Sequence, residues 1–500
     1  MAKASGYTDF EANLTCGGDD RSLILEGSGA NKYHIRPQPI GEGQVFRGSC
    51  TGNPPTQRGY DAAERLFKRF EGLEGAELDK AVEAVFDDQR ARLTELLELP
   101  EGAEIILCPS GSDAEYLPLA IARALKGDQH ITNGITQLRE IGAGSAPAAI
   151  GNYFSTHAPL VGRLPDEIES LTGFEGIDGI TITAREKDGS VVDASKEMDM
   201  FVKESLAGGK YPIAHGVFGG KTGIRDNKMP PSLDAGESSL GVVDACQGRF
   251  TKEELKEWLD QDSIVLFTAS KFYQAPPFCG AVIVPASIAN KLRSSAPPTD
   301  QAMYGPFGLG GFLTDKELPN SMESWKPLLQ GKEGNGNVGL ALRWEAGLAG
   351  MDALASVPEA MKTEAVEEWA GQVSDMVNAE SNLDACYVER SIVSIRLAKE
   401  DGWLDMSELR DAYRWMSMDV SNLVPGATDE EKLYLSKPAY TGQPVDVSES
   451  HAILRIALGV ESLVSYLGDP VNTLDEDQIT VKKLAAIAKH FNTLKKSGQQ

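Results

Sequence analysis

The 500-residue sequence has few cysteines and few histidines, six of each, and neither kind is clustered. No CxxC pair occurs, and the cysteines lack the dense spacing of a secreted disulfide scaffold, so we predict six free thiols. The dispersed histidines offer none of the local spacing that zinc sites use. The sequence therefore indicates no metal site.

Long apolar runs are also missing. No stretch approaches the roughly 18 apolar residues of a membrane span, and the opening residues lack the basic and then apolar pattern of a signal peptide. The sequence has 74 acidic residues and 48 basic ones, which gives a formal net charge of −26. Such an acidic field repels nucleic acid and anionic membrane surfaces. We therefore expect a cytoplasmic protein that binds neither.

The chain is longer than one hydrophobic core usually fills, and 41% of its residues are hydrophobic, so we expect two unequal domains. Residues 1–58 are rich in Gly, Asn and Pro, which predicts an extended arm. We predict that residues 59–345 form a large domain that begins with two amphipathic helices. A long helix from Val338 to about Ala355 then leads into residues 346–500, where helical and strand patterns predict a small α+β domain.

Short apolar runs in the large domain end in small or polar residues and are followed by helical patterns. The runs are EIILCP, YPIAHGV, SLGVVDAC, SIVLFTAS and CGAVIVP. This alternation is typical of a mostly parallel sheet with helices on both faces. Ligands of such sheets bind beyond the carboxyl ends of the strands, so the residues after each run are the candidates for a site.

The first candidate follows the run EIILCP, where Ser110, Gly111 and Ser112 open a helical pattern. A small-residue turn at a helix N-terminus presents free backbone N–H groups and the positive end of the helix dipole, which suits a phosphate. A plain strand-to-helix turn with a serine cap gives the same pattern, so both interpretations stay open.

Two further candidates carry charge. Asp244 ends the run SLGVV, with Gln247 three residues later. A buried carboxylate must be paired, so Asp244 is either satisfied within a turn or placed opposite a cationic partner. Lys271 follows the run SIVLFT, between Thr268 and Ser270 on one side and a small-residue segment on the other. Poor solvation there would make its amine a nucleophile toward an aldehyde, whereas a lysine that reaches solvent from a strand end is the alternative.

In their order along the chain, these motifs resemble the class V aminotransferases and cysteine desulfurases, a branch of the fold-type I enzymes that use pyridoxal 5′-phosphate (PLP). The resemblance covers most of residues 100 to 345. It implies an α/β fold like that of aspartate aminotransferase, with a mostly parallel seven-stranded sheet in the large domain and a smaller α+β C-terminal domain. The matching motifs are Ser110-Gly111-Ser112, Lys221-Thr222-Gly223, Asp244-Ala245-Cys246-Gln247, Ser270-Lys271 and Glu333-Gly334-Asn335-Gly336-Asn337.

The resemblance also implies a role for each matching residue. Lys271 would hold PLP as a Schiff base and later move protons at Cα of the substrate. Asp244 would bind the pyridine nitrogen and Gln247 the phenolic oxygen. Asn335 falls where the family usually has a threonine that reaches the phosphate of the neighbouring subunit, so a homodimer with shared active sites is implied. The remaining implied cofactor contacts are Ser110, Gly111, Ser112, Thr222, Thr268 and Ser270.

The C-terminal run HAILRIALG resembles the family's strand whose arginine binds the substrate carboxylate, which makes Arg455 the first candidate for that contact. A planar guanidinium fits a carboxylate in a way that a lysine amine does not. Arg396, in the run SIVSIRLA, is the second candidate. For either arginine, pairing with a local acid is the alternative.

The chain departs from the cysteine desulfurases in one region. That family places a histidine over the cofactor ring, but the corresponding stretch here reads QLREIGAGSAPAAIG and has no histidine. No cysteine lies in an obvious mobile loop either, so a desulfurase is disfavoured. Residues 132–154 contain four glycines, which let the backbone approach a ligand, and Glu140 supplies one charge. We expect this stretch to line the substrate side.

These patterns lead us to expect a PLP-dependent enzyme that acts at Cα of an amino acid, by transfer of the amino group to a 2-oxo acid. A PLP-dependent lyase or decarboxylase is the alternative, because the pocket decides which Cα bond lies perpendicular to the ring. A non-catalytic relative is disfavoured, since a binding protein has no need of the lysine, the aspartate and the phosphate turn together.

Overall fold

The computed structural model describes residues 7–25, 27–48, 52–136, 139–298, 300–329, 336–448 and 451–497. Asn335 and Cys50 lie outside these ranges, so the expected phosphate contact of the first and the free thiol of the second stay predictions. The other five cysteines have free thiols. None of the helices in the described ranges combines the length and the apolarity that a membrane crossing requires.

Sixteen α-helices occur in the described part of the chain, and the two predicted amphipathic helices and the predicted long helix are among them. They are α1 (Asp9–Leu14), α2 (Gln57–Phe70), α3 (Gly75–Leu96), α4 (Gly111–Ala114), α5 (Tyr116–Lys126), α6 (Ser145–Ala148), α7 (Ser195–Ala207), α8 (Lys252–Asp260), α9 (Ala286–Ser294), α10 (Val338–Leu354), α11 (Glu359–Asn378), α12 (Met406–Met416), α13 (Asp429–Leu435), α14 (Val460–Gly468), α15 (Pro470–Lys489) and α16 (Phe491–Ser497). Short 3-10 helices cover Leu233–Gly236, Gln301–Tyr304, Leu309–Gly311, Asp315–Glu317, Asn320–Met322, Lys326–Leu328 and Ser421–Leu423.

Fifteen strands occur in the same ranges. They are β1 (Val45–Arg47), β2 (Glu104–Cys108), β3 (Ile131–Thr136), β4 (His157–Ala158), β5 (Gly162–Arg163), β6 (Asp178–Ile182), β7 (Tyr211–Val217), β8 (Leu240–Asp244), β9 (Ile264–Thr268), β10 (Gly280–Val284), β11 (Leu383–Glu389), β12 (Ile392–Lys399), β13 (Gly402–Trp403), β14 (Ala439–Ser448) and β15 (His451–Ala457).

The first sheet has seven strands in the order β2-β10-β9-β8-β7-β3-β6. Strand β10 is antiparallel to both of its neighbours, and the other pairs are parallel. The predicted mostly parallel seven-stranded sheet is therefore confirmed. Five of the strands are the apolar runs of the sequence, all fully buried apart from Glu104 at the start of β2.

The second sheet joins β1-β14-β15-β12-β11, and β13 pairs with β12. Its first strand comes from the N-terminal arm, because β1 runs parallel to β14 with Val45 opposite Ala439. Arg47 at the end of β1 is buried and forms an ion pair with Asp477 of α15. The arm is thus not only an extended segment, since it contributes a strand and a buried charge to the C-terminal part of the fold.

Helices cover both faces of the first sheet. One face packs on α5, whose residues Tyr116–Ala122 are all buried, and the other packs on α2, α3 and α10. The helix α10 is buried around most of its surface and leads from the first sheet toward the second. The second sheet packs on α11, α12, α14 and α15 in a core of its own. The largest buried clusters thus lie on the two faces of the first sheet and on the second sheet, and the domain boundaries expected from the sequence stay predictions.

Candidate active site

The turn after β2 begins the candidate site. Ser110 caps α4, because its Oγ accepts the N–H of Asp113 at 3.2 Å. Gly111 and Ser112 occupy the first two helical positions, whose N–H groups have no acceptor within a helix. The strand, turn and helix expected from the sequence therefore follow one another, and the turn offers two backbone donors without an acceptor in the helix.

Gly111 brings this turn against the ends of two central strands. A Cβ atom at Gly111 would lie 2.7 Å from Cys246 Sγ and 3.3 Å from the methyl carbon of Thr268, so a side chain would not fit. Thr268 ends β9, and its hydroxyl lies 2.6 Å from the hydroxyl of Ser270. The turn at Gly111 and the buried hydroxyls of Thr268 and Ser270 thus lie side by side.

Asp113 lies directly behind the turn and is fully buried. Burial raises its pKa to about 7, and the carboxylate of Asp19 adds to this effect, while a hydrogen bond from Ser110 opposes it. A carboxyl group that is partly protonated near neutral pH carries less negative charge. The turn is therefore less repulsive to an anion than its sequence indicates.

Asp244 ends β8, the strand next to β9, with 6% of its surface exposed. The backbone N–H of Cys246 donates to its Oδ1 at 3.0 Å. Gln247 is buried beside it and accepts through Oε1 from Arg249 at 3.3 Å. Its amide N–H groups are therefore the part of Gln247 that is oriented to donate to another group.

Lys271 lies in the turn between β9 and β10 and is half-buried. The side chain of Asn53, from the N-terminal arm, donates to the carbonyl oxygens of Ser270 at 2.8 Å and of Lys271 at 3.3 Å. Burial raises the pKa of Cys246, two residues after Asp244, and the nearby charge of Lys271 opposes this effect. The structure thus places the lysine near the aspartate, at the carboxyl ends of adjacent strands, with its backbone fixed by the arm.

A second lysine, Lys221, lies close by, and the sequence interpretation gave it no role. Burial lowers the pKa of Lys221 to about 8, with the charges of Arg455 and Lys271 adding to this effect and Glu140 opposing it. The sequence signal was available, because Lys221 follows the run YPIAHGV within the motif that resembles the family. The site therefore holds two lysines that must be distinguished by experiment.

Thr222 belongs to a buried network rather than to an open surface. Its N–H and its hydroxyl both donate to Glu140, at 2.8 and 2.9 Å. Arg185 pairs with the same carboxylate at 2.7 Å and donates to the Thr222 hydroxyl at 3.0 Å. These contacts use the Thr222 side chain within the protein, so they do not support its expected contact to the cofactor. Glu140 also lies beside Lys221, and the expectation that residues 132–154 line the substrate side stays a prediction.

Arg455 brings the second sheet to the site. It is 3% exposed, and its guanidinium donates to the carbonyl oxygens of Lys221 and Gln443, each at 3.0 Å. Arg396 has different surroundings, because its guanidinium lies over the ring of Trp403 at 4.1 Å. The structure thus brings Arg455 to the loop after β7 and Arg396 to Trp403. The substrate contact of either arginine stays a prediction.

Two buried residues beside Asp244 were missed by the sequence interpretation. His215 of β7 lies with its Nε2 3.0 Å from Oε2 of Glu115, and each side chain is 1% exposed. Burial opposes a charge on His215, but the carboxylate of Glu115, helped by Asp244, outweighs it and raises its pKa to about 9. The one signal in the sequence was a histidine within the apolar run YPIAHGV.

The donors and acceptors of the site fit PLP part by part. Free backbone amides and hydroxyls suit a phosphate, a buried carboxylate suits a protonated ring nitrogen, and an amine suits an aldehyde. The glycine at position 111 leaves room for close backbone approach. The site therefore offers a donor or an acceptor for each of these parts of PLP, and the contact of each residue with the cofactor stays a prediction.

No protein-family profile and no curated protein matches the sequence. Solved structures match its fold. One is the glutamate decarboxylase domain of diaminobutyrate-pyruvate transaminase and L-2,4-diaminobutyrate decarboxylase from Vibrio parahaemolyticus, with a TM-score of 0.50 and 14% identity over 88% of this chain and 81% of that one. Another is a cysteine desulfurase from Escherichia coli, with a TM-score of 0.50 and 12% identity over 88% and 95%. A phosphoserine aminotransferase from Cytophaga hutchinsonii has a TM-score of 0.48 and 12% identity over 87% and 99%.

At these identities the likeness shows the fold alone. The two structures with a TM-score of 0.50 have the fold of aspartate aminotransferase. The fold expected from the sequence is therefore confirmed. Because one of these structures is a decarboxylase domain and the other a desulfurase, the fold does not select a reaction.

Proposed function

On this aspartate-aminotransferase-like fold, we propose that the chain is a PLP-dependent enzyme that acts at Cα of an amino acid. One observation carries the proposal: Lys271, Asp244 and the turn of Ser110 to Ser112 converge at the carboxyl ends of strands of one sheet. Strands β8 and β9 are hydrogen-bonded neighbours, and Gly111 packs against the residues that follow β8 and end β9. A phosphate site, a buried carboxylate and a lysine amine are thereby combined.

Each part of the cofactor has a residue to hold it. We propose that the amides of Gly111 and Ser112, with the hydroxyls of Thr268 and Ser270, bind the phosphate, and that Asp244 pairs with the ring nitrogen. Gln247 donates to the phenolic oxygen, since its own carbonyl oxygen is used by Arg249. Lys271 carries the cofactor through its amine. When bound, PLP supplies an electron sink for charge that develops at the substrate Cα.

We propose amino-group transfer to a 2-oxo acid as the reaction. Arg455 is buried and fixed by two carbonyl contacts, so a substrate carboxylate that it binds is held in one direction. With the carboxylate held, the Cα–H bond is the one open to proton removal, and Lys271 is the amine placed to move that proton. The substrates are then an amino acid and a 2-oxo acid.

Decarboxylation is the second candidate, because a decarboxylase domain is among the solved structures that match this chain with a TM-score of 0.50. In that reaction the α-carboxylate must lie where it can leave, so it cannot be the group that Arg455 binds. Arg455 would then bind another anionic group of the substrate or none. The product, a 2-oxo acid or an amine with carbon dioxide, separates the two candidates.

We also propose that the enzyme is a homodimer with shared active sites. The support is the resemblance of residues 100 to 345 to a family that is generally dimeric. Sedimentation of the protein with and without PLP measures the assembly directly, and a monomer that binds PLP and turns over substrate would contradict this part of the proposal.

The experiment is an absorbance spectrum from roughly 300 to 500 nm after loading with PLP, for the wild type, for Lys271→Ala and for the control Lys256→Ala. Lys256 is an exposed lysine on α8, so its loss tests for unspecific reaction of surface amines. We expect a visible band in the wild type and the control that is absent in Lys271→Ala. Pooled amino acids should then change the band and release 2-oxo acids. No band in the wild type would overturn the proposal.

A further inference from the structure

Beneath Asp244 lies a cluster of three buried ionisable groups. Glu115, His215 and Asp244 offer atoms that all lie within 4.8 Å of one another. His215 precedes Val217 by two residues on β7, and Val217 is opposite Asp244 in the sheet, so His215 and Asp244 project from the same face. Glu115 reaches this face from the junction of α4 and α5.

The charges of the cluster are partly balanced. Two carboxylates at this separation in a buried site repel each other, and a positive group near both reduces the repulsion. His215 is that group, because its ring lies 3.0 Å from Glu115 and also feels the charge of Asp244. Burial raises the pKa of Glu115, and a hydrogen bond from the hydroxyl of Ser145 on α6 opposes this effect. His215 is thus the group of the cluster that offsets carboxylate charge.

The cluster also contains buried polar atoms that make no hydrogen bond. Among the described residues, both ring nitrogens of His215 and Oε1 of Glu115 are buried without a hydrogen bond of good geometry, although Nε2 lies 3.0 Å from Oε2 of Glu115. A buried polar atom without a partner costs free energy, so such atoms are expected to be used in the functional state of the protein. Asp244 is the nearby group whose position the imidazole can control.

From this arrangement we propose that Glu115 and His215 are positioning residues for Asp244. His215 holds the carboxylate of Asp244 oriented toward the ring nitrogen of PLP, while Glu115 offsets the charge of His215. This offset matters because an uncompensated imidazolium would repel the protonated ring nitrogen that Asp244 binds. The inference rests on the proposed function, since it concerns the same site.

The test measures the cofactor rather than turnover. Apo forms of Glu115→Gln, of His215→Asn and of the control His130→Asn, an exposed histidine on the surface, are titrated with PLP and followed by absorbance. We expect affinity for PLP to fall about tenfold or more in the first two variants and to stay within twofold of the wild type in the control. The pH at which the visible band changes should move by about one unit in the same two variants only.

A double variant distinguishes positioning from a general loss of structure. If Glu115 acts through Asp244, then Glu115→Gln should have little further effect on PLP affinity in an Asp244→Asn background. Additive losses of PLP affinity in the double variant would overturn the inference, and so would single variants whose affinity and visible band are unchanged. In either case a visible band in the wild type would still support the proposed function. A stoichiometric metal ion in the wild type that both variants lose would also overturn the inference, by assigning the cluster to metal binding.

Discussion

Nη1 of Arg455 lies 3.0 Å from the carbonyl oxygen of Lys221, a hydrogen bond that ties the second sheet to the loop after β7 of the first. The guanidinium is buried where Lys221 and Lys271 also concentrate positive charge. Buried charge of one sign needs a counterion. The carboxylate of Glu140 beside Lys221 is one such group, and we propose that an anionic substrate is another.

Replacing Arg455 should therefore weaken substrate binding. For Arg455→Ala we expect kcat/KM for amino-group transfer to fall about 100-fold, since a hydrogen-bonded charge pair to the substrate carboxylate is lost. Steady-state kinetics measure this loss, and the absorbance of bound PLP should not change. Arg396→Ala is the matched control, because its guanidinium lies over Trp403 and should leave kcat/KM within twofold. Equal losses in both variants would restore Arg396 as a substrate residue.

Lys221 should select for a second anionic group on the substrate. If Arg455 takes the α-carboxylate, Lys221 is a half-buried cation beside it, whose Nζ donates to the carbonyl oxygen of Arg139 at 3.2 Å. We expect Lys221→Met to raise KM for aspartate and glutamate about tenfold while KM for alanine changes little. The exposed Lys256→Met is the control. An equal increase in KM for all three amino acids would show that Lys221 does not bind the side chain of the substrate.

The pair of Glu115 and His215 should make stability depend on pH. The pKa of His215 is raised from 6.5 to about 9, so its stabilising contribution is complete below pH 6.5 and is lost as pH rises through 9. Between pH 6.5 and pH 9.5, the free energy of unfolding measured in urea should fall more for the wild type than for Glu115→Gln. The difference between the two proteins should be up to about 3 kcal/mol. Identical pH dependence in the two proteins would mean that Glu115 does not hold the charge on His215.

Gly111 should be irreplaceable for cofactor binding. A Cβ there meets Cys246 Sγ at 2.7 Å, so Gly111→Ala must displace the turn from the ends of β8 and β9. We expect affinity for PLP, measured by titration of the apo protein, to fall at least about tenfold. Gly371→Ala is the control on α11, where a Cβ meets no atom and should stabilise the helix by about 0.5 to 1 kcal/mol. Full affinity in Gly111→Ala would remove the turn from the phosphate site.

The sequence predicted those parts of the fold and site that local patterns encode. Five strands of the first sheet are continuous apolar runs, and the residues after them include Ser110, Asp244 and Lys271. Strand β3 was not among the predicted strands, because Thr132, Asn133 and Gly134 interrupt its apolar pattern although all its residues are buried. Polar side chains of this kind are satisfied by tertiary contacts that periodicity does not show.

Other features depend on contacts between distant segments. Glu115 and His215 meet only because α5 packs on the face that β7 presents, and no spacing in the sequence joins them. Strand β1 has three residues and is defined by its backbone pairing with β14, so it leaves no side-chain pattern to read. The contacts of Thr222 were equally hidden, because its partner Arg185 lies in a different part of the large domain.

The central claim is that Lys271, rather than the neighbouring Lys221, carries PLP. The most direct measurement is borohydride reduction of the PLP-loaded protein, followed by digestion and mass spectrometry of the labelled peptide. We predict one label per chain, on Lys271, and none in Lys271→Ala. A label on Lys221, labels spread over surface lysines, or no label at all would contradict the claim.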